Sequence, residues 1–295
     1  MILTHESQLT DAVLADNAGT ADKRLREIVA SFIRHAHAFL RETRPTEEEF
    51  HAGLQFIAAV GRRTSERHNE VVLASDVFGL STLVGMLNNP LGSDHTAAAL
   101  LGPFWRQNAP HAALGDNIAR SHTPGPALFV RGTVRDTGGK PIPGATVDVW
   151  QASPVGLYEN QDPEQDDYNL RGVFRADAEG KFHFRTVKPA GYPVPVDGPI
   201  GGLLHAQRRH PYRPAHLHFM ISHPGYKTLI TQVFPHDAED LDRDVTFSVI
   251  AALVADCVRH EGDAPAPDVT GPWYSMAYDF ALERGEQRFP APPIR

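Results

Sequence analysis

The feature that most constrains the fold of this 295-residue chain is a change in hydrophobic period near residue 105. Before it, apolar residues recur at helical spacing over four turns. That helical stripe consists of Leu25, Ile28, Val29, Phe32, Ile33, Ala36, Phe39 and Leu40. After it, apolar and other residues alternate with a period of two, which is typical of β-strands. The sequence therefore predicts an α+β protein, with a helical N-terminal region followed by a β-sandwich of mixed topology.

Local signals give the expected limits of the helices. Pro45 ends the first long helix, because proline cannot continue one. Thr46 and Glu49 form a capping box, in which two side chains satisfy free backbone groups at the start of a helix. A further helix is predicted to start at Ser75 or Asp76 and to end near residue 88.

The second part of the chain carries strand-like runs separated by turns. They are LFVRGTV, ATVDV, KFHFRTV, AHLHFMIS, TLITQVF and DVTFSVI. A helix is expected only after them, at about 249–259. We therefore predict two domains, a helical one at 1–104 and a β-sandwich catalytic domain at 105–295.

Composition excludes several classes of protein. The net charge is −8 and there is no block of basic residues, so neither nucleic acid nor an anionic membrane surface is an expected partner. The start, MILTHESQLT, lacks the pattern of a signal peptide, and no apolar run approaches the length of a membrane span. The single cysteine, Cys257, permits neither an internal disulfide nor a thiolate metal cluster. A cytoplasmic location is expected.

The stretch RPAHLHFMI, residues 213–221, contains the first candidate ligands. Residues two apart on a strand share a face, so His216 and His218 lie side by side. Leu217, Phe219 and Ile221 share the opposite face, which is expected in the core. The two imidazoles are either part of a metal site or a solvent-facing pair on an ordinary sheet. A catalytic metal needs about three or four protein ligands, so two histidines are an incomplete set.

Tyrosine is a candidate for the missing ligands, because the chain has only seven. Tyr192 lies in KPAGYPVPVDGP, where prolines and glycines can hold a loop in one conformation. Tyr158 lies in SPVGLYENQD, directly after a predicted strand. Functional loops collect at strand ends. Each tyrosine taken alone is better explained as a packed aromatic ring with a solvated hydroxyl.

The order DVWQA, GLYENQD, NLRG, KPAGYPVPVDGP and RPAHLHF resembles that of the intradiol ring-cleavage dioxygenases. These non-haem iron enzymes cut catechols between the two hydroxylated carbons. The resemblance covers nearly the whole chain and implies one Fe(III) per chain, held by Tyr158, Tyr192, His216 and His218. The residue types suit that ion, since ferric iron is a hard cation that takes phenolate as a ligand.

The resemblance also implies roles for three side chains in catalysis. Tyr192 is the ligand that substrate displaces, after which its phenolate accepts a substrate proton. Arg213 matches an arginine that stabilises negative charge developing on the ring. The alternative interpretation of Arg213 is a surface salt bridge. Gln232, in TLITQVF, matches a glutamine near the iron.

One departure from the catechol enzymes points to a substrate. Those enzymes usually carry EGPLY or EGPFY before the sandwich, whereas this chain has LLGPFW with Leu101 in place of the glutamate. The chain therefore resembles the hydroxyquinol (1,2,4-trihydroxybenzene) enzymes more closely. The pocket residues that carry over are Leu73, Asp76, Leu100, Leu101, Gly102, Pro103, Phe104, Val194, Pro195 and Arg213. Asp76 would accept a hydrogen bond from a third ring hydroxyl; it could also serve as a helix N-cap.

The resemblance implies a homodimer joined through the N-terminal helices, with a bound phospholipid at the interface. The expected reaction cleaves hydroxyquinol with O2 to 3-hydroxy-cis,cis-muconate or its tautomer maleylacetate. The alternative within the family is a catechol or chlorocatechol dioxygenase. The alternatives outside it are a zinc hydrolase using His216, His218 and a carboxylate, and a non-catalytic sandwich that binds an aromatic ligand.

Overall fold

The computed structural model describes residues 2–66 and 68–294, which contain six α-helices and twelve β-strands. The helices are α1 Gln8–Asn17, α2 Lys23–Thr43, α3 Glu47–Arg63, α4 Glu70–Val77, α5 Leu80–Asn88 and α6 Pro199–Ala206. The first strands are β1 Ala127–Asp136, β2 Thr146–Trp150, β3 Arg171–Arg175, β4 Lys181–Val187, β5 Tyr192–Pro193 and β6 Tyr212–Arg213. The others are β7 Leu217–Ser222, β8 Leu229–Pro235, β9 Val254–Ala255, β10 Cys257–His260, β11 Trp273–Ala277 and β12 Phe280–Leu282. The predicted α+β fold class is confirmed.

The long helix and the capping box lie where the sequence predicts them. α2 ends at Thr43, two residues before Pro45. The backbone N–H of Thr46 donates to the Glu49 carboxylate over 2.8 Å, and the Glu49 N–H donates to the Thr46 hydroxyl over 3.2 Å. The two reciprocal hydrogen bonds fix the start of α3.

Asp76 does not begin a helix, so its interpretation as an N-cap is wrong. It lies in the last turn of α4, and the chain turns at Gly79, with φ 71°, before α5 begins. No single helix among the described residues is long and apolar enough to cross a membrane; α4 and α5 meet that criterion only as a pair, which is bent by 73°.

The chain divides into two compact units, residues 1–58 and residues 59–295. The first unit contains α1, α2 and most of α3. Within it, Arg41 on α2 donates to the carboxylate of Glu6 over 2.9 Å. The second unit contains the remaining helices and all the strands. Our division into domains at residues 104 and 105 stays a prediction.

Two five-stranded sheets form the sandwich in the second unit. One sheet has the order β10-β11-β1-β12, with β4 also paired to β1. The other has the order β3-β2-β7-β8-β9. Parallel and antiparallel pairs occur in both sheets, so the topology is mixed as predicted. Residues from both sheets build the main core, including Val130, Phe184, Val147 and Phe219.

Two predictions of local structure are wrong near the end of the sandwich. The segment 249–259, expected as a helix, forms a short 3-10 turn at Ala251–Leu253 followed by β9 and β10. The run DVTFSVI, expected as a strand, is irregular, and Phe247 adopts a φ of 56°. The Asp244 side chain accepts hydrogen bonds from the backbone N–H groups of Thr246 and Ser248. These bonds curl the chain and prevent an extended strand.

Candidate active site

The two histidines of RPAHLHFMI lie together in the protein interior. His218 is in β7 and His216 immediately precedes it; their side chains are 1% and 2% exposed. Their Nε2 atoms are 3.0 Å apart. β2 pairs with β7 so that Trp150 lies opposite His218, and the two rings stack with centroids 4.7 Å apart. The solvent-facing pair is therefore excluded.

Hydrogen bonds and neighbouring charges fix the orientation and the protonation state of the two imidazoles. The Nδ1 atom of His216 lies 2.8 Å from the carbonyl oxygen of Pro214, and the Nδ1 atom of His218 lies 3.4 Å from the amide nitrogen of Gln232. At His216, Nδ1 therefore carries the proton, which leaves the Nε2 lone pair beside Nε2 of His218. Burial, together with the charge of Arg213, lowers the pKa of His216 to about 3. Burial also lowers the pKa of His218 well below its usual value, so both rings are neutral.

The tyrosines meet the histidines in the same interior space. The hydroxyl oxygens of Tyr158 and Tyr192 are 3.2 Å apart, and burial raises the pKa of both phenols. Tyr192 lies in β5, which pairs with β6. A side chain at Gly156, where φ is 81°, would lie 2.9 Å from the Cβ atom of Tyr192. The loop that carries Tyr158 therefore needs glycine to approach Tyr192 this closely.

These four side chains fit a ferric ion. The ring centroids of Tyr192 and His216 are 5.6 Å apart, and those of Tyr158 and His218 are 6.4 Å apart. The two Nε2 atoms are 3.0 Å apart, so both nitrogens can bind one cation together. Across the described residues, no group of three His, Cys, Asp or Glu side chains could hold a metal. A zinc hydrolase would need a carboxylate beside His216 and His218 as its third ligand. The oxygens beside them are phenol oxygens, which suit a hard ferric ion.

Arg213 is a buried cation at this site, so the interpretation as a surface salt bridge is wrong. Its side chain is 4% exposed. Nε donates to Asp244 over 3.2 Å, Nη2 donates to the Gln232 amide oxygen over 2.9 Å, and Nη1 lies 3.2 Å from His216 Nε2. Burial alone would lower the pKa of Arg213, but Asp244 raises it above its usual value. The guanidinium thus keeps its charge beside the Nε2 atom of His216.

Asp244 and Ser248 are functional candidates that sequence reasoning missed. Asp244 holds Arg213, and the Ser248 hydroxyl donates to the Asp244 carboxylate over 2.6 Å. Burial favours the neutral form of Asp244, but the facing guanidinium lowers its pKa below the usual range. Both residues lie more than thirty positions after Arg213 in a stretch that we predicted as a strand. No local pattern in the sequence connects them to it.

A second buried network lies beside Tyr158. Arg171, from the NLRG motif, donates to Glu159 over 2.8 Å, and both side chains are 1% exposed. Arg106 donates to the same carboxylate oxygen over 2.8 Å. The guanidinium carbon of Arg171 is 5.9 Å from the centre of the Tyr158 ring. The ring of Phe104 stacks on Tyr158 with centroids 4.5 Å apart.

A cavity of about 650 Å³ borders this site and contains part of the predicted pocket. Asp76, Leu100, Leu101 and Gly102 line it. A Cβ atom at Gly102 would lie 3.2 Å from the Cε1 atom of His218, so this residue of the cavity wall packs against the His218 imidazole. Burial raises the pKa of Asp76 to about 6, although a hydrogen bond from Ser81 opposes the shift.

The other predicted pocket residues are spread around the site. Leu73, Phe104 and Val194 are buried, and Pro103 and Pro195 are partly buried. None of these five lines the cavity that contains Asp76. Their contact with substrate stays a prediction.

Comparison with known proteins identifies the family. A model described as "Dioxygenase" matches residues 100–284, and one described as "Catechol dioxygenase N terminus" matches residues 22–96. The chain belongs to the intradiol ring-cleavage dioxygenases. It is 40% identical to a 6-chlorohydroxyquinol 1,2-dioxygenase of Cupriavidus pinatubonensis, covering 94% of this chain and 97% of that one. It is also 40% identical to a hydroxyquinol 1,2-dioxygenase of Rhizobium sp., covering 95% and 96%.

Solved structures agree with this assignment. The hydroxyquinol 1,2-dioxygenase of Pseudomonas putida DLL-E4 superposes with a TM-score of 0.86 at 37% identity. The match covers 95% of this chain and 99% of the other. The recognition of the family from its tyrosine and histidine motifs is confirmed, as is the intradiol dioxygenase class of the enzyme.

Proposed function

We propose that this enzyme holds Fe(III) through Tyr158, Tyr192, His216 and His218 and cleaves hydroxyquinol with O2. The product is 3-hydroxy-cis,cis-muconate, which tautomerises to maleylacetate. Both oxygen atoms of O2 enter the product, so no external reductant is needed. The convergence of two phenol oxygens and two neutral imidazole nitrogens in a buried site supports the ferric ion.

Bound Fe(III) would supply a Lewis acid that takes up the two adjacent substrate oxygens and makes the electron-rich ring reactive towards O2. The tyrosines do the acid–base work. Burial raises the pKa of Tyr192, so its phenolate, once free, is a strong base for a substrate hydroxyl proton. The hydroxyl oxygen of Tyr158 lies 3.2 Å away and can share a hydrogen bond with Tyr192 Oη.

Arg213 supplies fixed positive charge at the reacting ring. Its contacts to Asp244 and Gln232 hold the guanidinium in place before substrate binds. Such preorganised charge stabilises an anionic ring without reorganisation in the transition state. Gln232 also donates to the carbonyl oxygen of Leu100 over 2.9 Å, which joins Arg213 to the wall of the cavity.

Asp76 is the observation that carries the choice of hydroxyquinol. Asp76 is 4% exposed and lines the same cavity as Gly102, which packs against His218. A buried carboxylate without a ligand hydroxyl keeps acceptor capacity unused, which disfavours a ring that lacks the third hydroxyl. The names of the relatives support the same substrate.

Oxygen uptake by the iron-loaded enzyme tests this proposal. We expect kcat/KM to be highest for hydroxyquinol when compared with catechol and 4-chlorocatechol. Asp76→Ala should reduce the ratio of kcat/KM for hydroxyquinol to kcat/KM for catechol by about tenfold or more. In the parent, bound catechol leaves the Asp76 carboxylate without a hydrogen-bond donor, and this disfavours catechol strongly. Asp94→Ala, at an exposed carboxylate, is the control and should leave the ratio unchanged. An unchanged ratio in Asp76→Ala would refute the hydrogen bond to the third hydroxyl.

We also propose a cytoplasmic homodimer joined through the helical domain at 1–104, with a phospholipid at the interface. The support is an apolar face on α2, where Leu25, Ile28, Phe32 and Phe39 are all exposed. Exposed apolar patches of this kind mark association surfaces. Light scattering should give a dimer mass for the parent and a monomer mass for Phe32→Glu. Mass spectrometry of an organic-solvent extract of the protein should detect a phospholipid. An extract without phospholipid would contradict the proposed lipid at the interface.

A further inference from the structure

The segment Ala291–Ile294 lies outside all the motifs that identify the family, yet it borders the active site. Ala291, Pro292 and Pro293 line the same cavity as Asp76. Gly102, which lines the same cavity, packs against His218. A substrate ring that occupies the cavity would therefore meet this segment.

Ile294 fixes the far end of the segment. Its side chain is 2% exposed and belongs to the hydrophobic cluster that contains Tyr158, Tyr192 and Phe104. One short stretch of chain thus runs from the wall of the cavity to the apolar surroundings of the two tyrosines.

The backbone gives this segment little support. The backbone of Ala291–Ile294 makes no hydrogen bond to any residue in the described ranges 2–66 and 68–294. Three of the four residues from 290 to 293 are prolines, which have no N–H group to donate. A segment held by side-chain packing alone can open without unfolding the sandwich.

We propose that Ala291–Ile294 is a detachable wall of the substrate cavity, anchored by Ile294. Closed, the wall completes the cavity with apolar surface and keeps water from a bound hydroxylated benzene ring. Open, it lets substrate enter and product leave. This inference rests on the proposed function, since it takes the substrate to be an aromatic triol or diol in that cavity.

The variant Ile294→Ala tests the anchor. We expect its KM for hydroxyquinol to rise about tenfold and kcat to change less than twofold, with a lower thermal midpoint because a buried side chain is truncated. Ile294→Val should give an intermediate KM. Val258→Ala removes a similar aliphatic side chain from an exposed position and should change none of these values.

Trypsin provides a readout that does not depend on turnover. Cleavage after Arg288, which is exposed, releases a fragment that begins at Phe289 and can be quantified by mass spectrometry. We expect cleavage several-fold faster in Ile294→Ala than in the parent and in Val258→Ala. Hydroxyquinol added without O2 should slow cleavage of the parent and have a smaller effect on Ile294→Ala.

The outcomes separate this inference from the proposed function. An unchanged KM together with unchanged cleavage in Ile294→Ala would overturn the detachable wall while leaving the dioxygenase activity intact. A lowered thermal midpoint with an unchanged KM would assign Ile294 to stability alone and would also overturn it. If the iron-loaded parent turns over neither hydroxyquinol nor a catechol, the proposed function fails. The rate of trypsin cleavage without ligand still reports whether Ile294 holds the segment.

Discussion

The two faces of strand β7 show how one element serves both stability and chemistry. On one face, Leu217, Phe219 and Ile221 are fully buried in the apolar core between the sheets. On the other face, His218 is equally buried but lies among Arg213, Tyr158 and Gln232. The same strand geometry thus gives a dry face and a face rich in polar groups.

The difference between these faces lies in what burial does to each. Burial of an apolar ring stabilises the fold in proportion to the surface removed from water. Burial of an imidazole, a phenol or a carboxylate instead shifts its pKa and makes the group reactive. Burial of the polar groups on the active-site face therefore lowers the stability of the fold, and burial of the apolar side chains on the core face offsets that loss.

Removing a ligand from the polar face should have the largest effect on activity. We expect His218→Ala to lose tightly bound iron and to show no dioxygenase activity above the iron-free baseline, because an imidazole donor is missing. Metal analysis measures the bound iron, and oxygen uptake measures the dioxygenase activity. Full iron content with parental activity would show that His218 is not a ligand.

Removing a ring from the core face should have the largest effect on stability. Phe219→Ala should lower the free energy of unfolding by about 3–5 kcal/mol, through lost burial and a new cavity. Below its unfolding temperature the variant should still bind iron. Denaturant unfolding measures the loss, and Val258→Ala on the surface should change it by less than about 0.5 kcal/mol. An equally small loss in Phe219→Ala would contradict the distinction between the faces.

Breaking the ion pair beside Tyr158 should cause the next largest loss in the free energy of unfolding. Glu159→Gln removes the carboxylate that pairs with Arg171 and Arg106. It leaves buried positive charge unpaired, so we expect a loss of about 3 kcal/mol. Asp167→Asn removes an exposed partner of Arg106 and should cost less than about 1 kcal/mol. Equal losses in the two variants would show that burial does not decide the strength of this network.

Asp76 should give a smaller, pH-dependent effect. Burial raises its pKa to about 6 in the folded protein, above the usual 3.8, so the folded state binds the proton more tightly than the unfolded chain. The stability contributed by protonated Asp76 is present below about pH 4 and is lost as pH rises to about 6. Asp76→Asn should therefore be more stable than the parent at pH 7, on the order of 3 kcal/mol.

That gain should shrink as pH falls towards 4. Denaturant unfolding at a series of pH values measures it. A stability difference that does not change with pH would contradict the assignment. The activity ratio of hydroxyquinol to catechol should also fall as pH drops through about 6, because a protonated carboxyl group is a weaker acceptor than a carboxylate.

Sequence reasoning predicted those parts of the molecule that depend on local pattern. The stripe of α2, the capping box of α3 and the alternation in β7 each reflect the geometry of a single element. The four proposed ligands came from a family pattern, and the structure brings them together. The pattern could not predict Asp244 or Ile294, because each reaches the site through contacts between residues far apart in the chain.

The errors have the same physical origin. Asp76 has the residue type of an N-cap, but it lies in the last turn of α4 and lines a cavity instead. DVTFSVI alternates like a strand, but the buried Asp244 carboxylate captures its backbone N–H groups. In both places a tertiary contact overrides the local preference.

The visible spectrum of the iron-loaded protein tests most directly whether two tyrosine oxygens bind the iron together with the two histidines. Tyrosinate-to-iron charge transfer should colour the parent red to burgundy, and Tyr158→Phe should lose that colour or its iron. Tyr168→Phe is the matched control, because its hydroxyl donates to the backbone of Gln107, and it should keep the parent spectrum. A colourless parent with one iron per chain, or a Tyr158→Phe variant with the parent spectrum, would contradict the account.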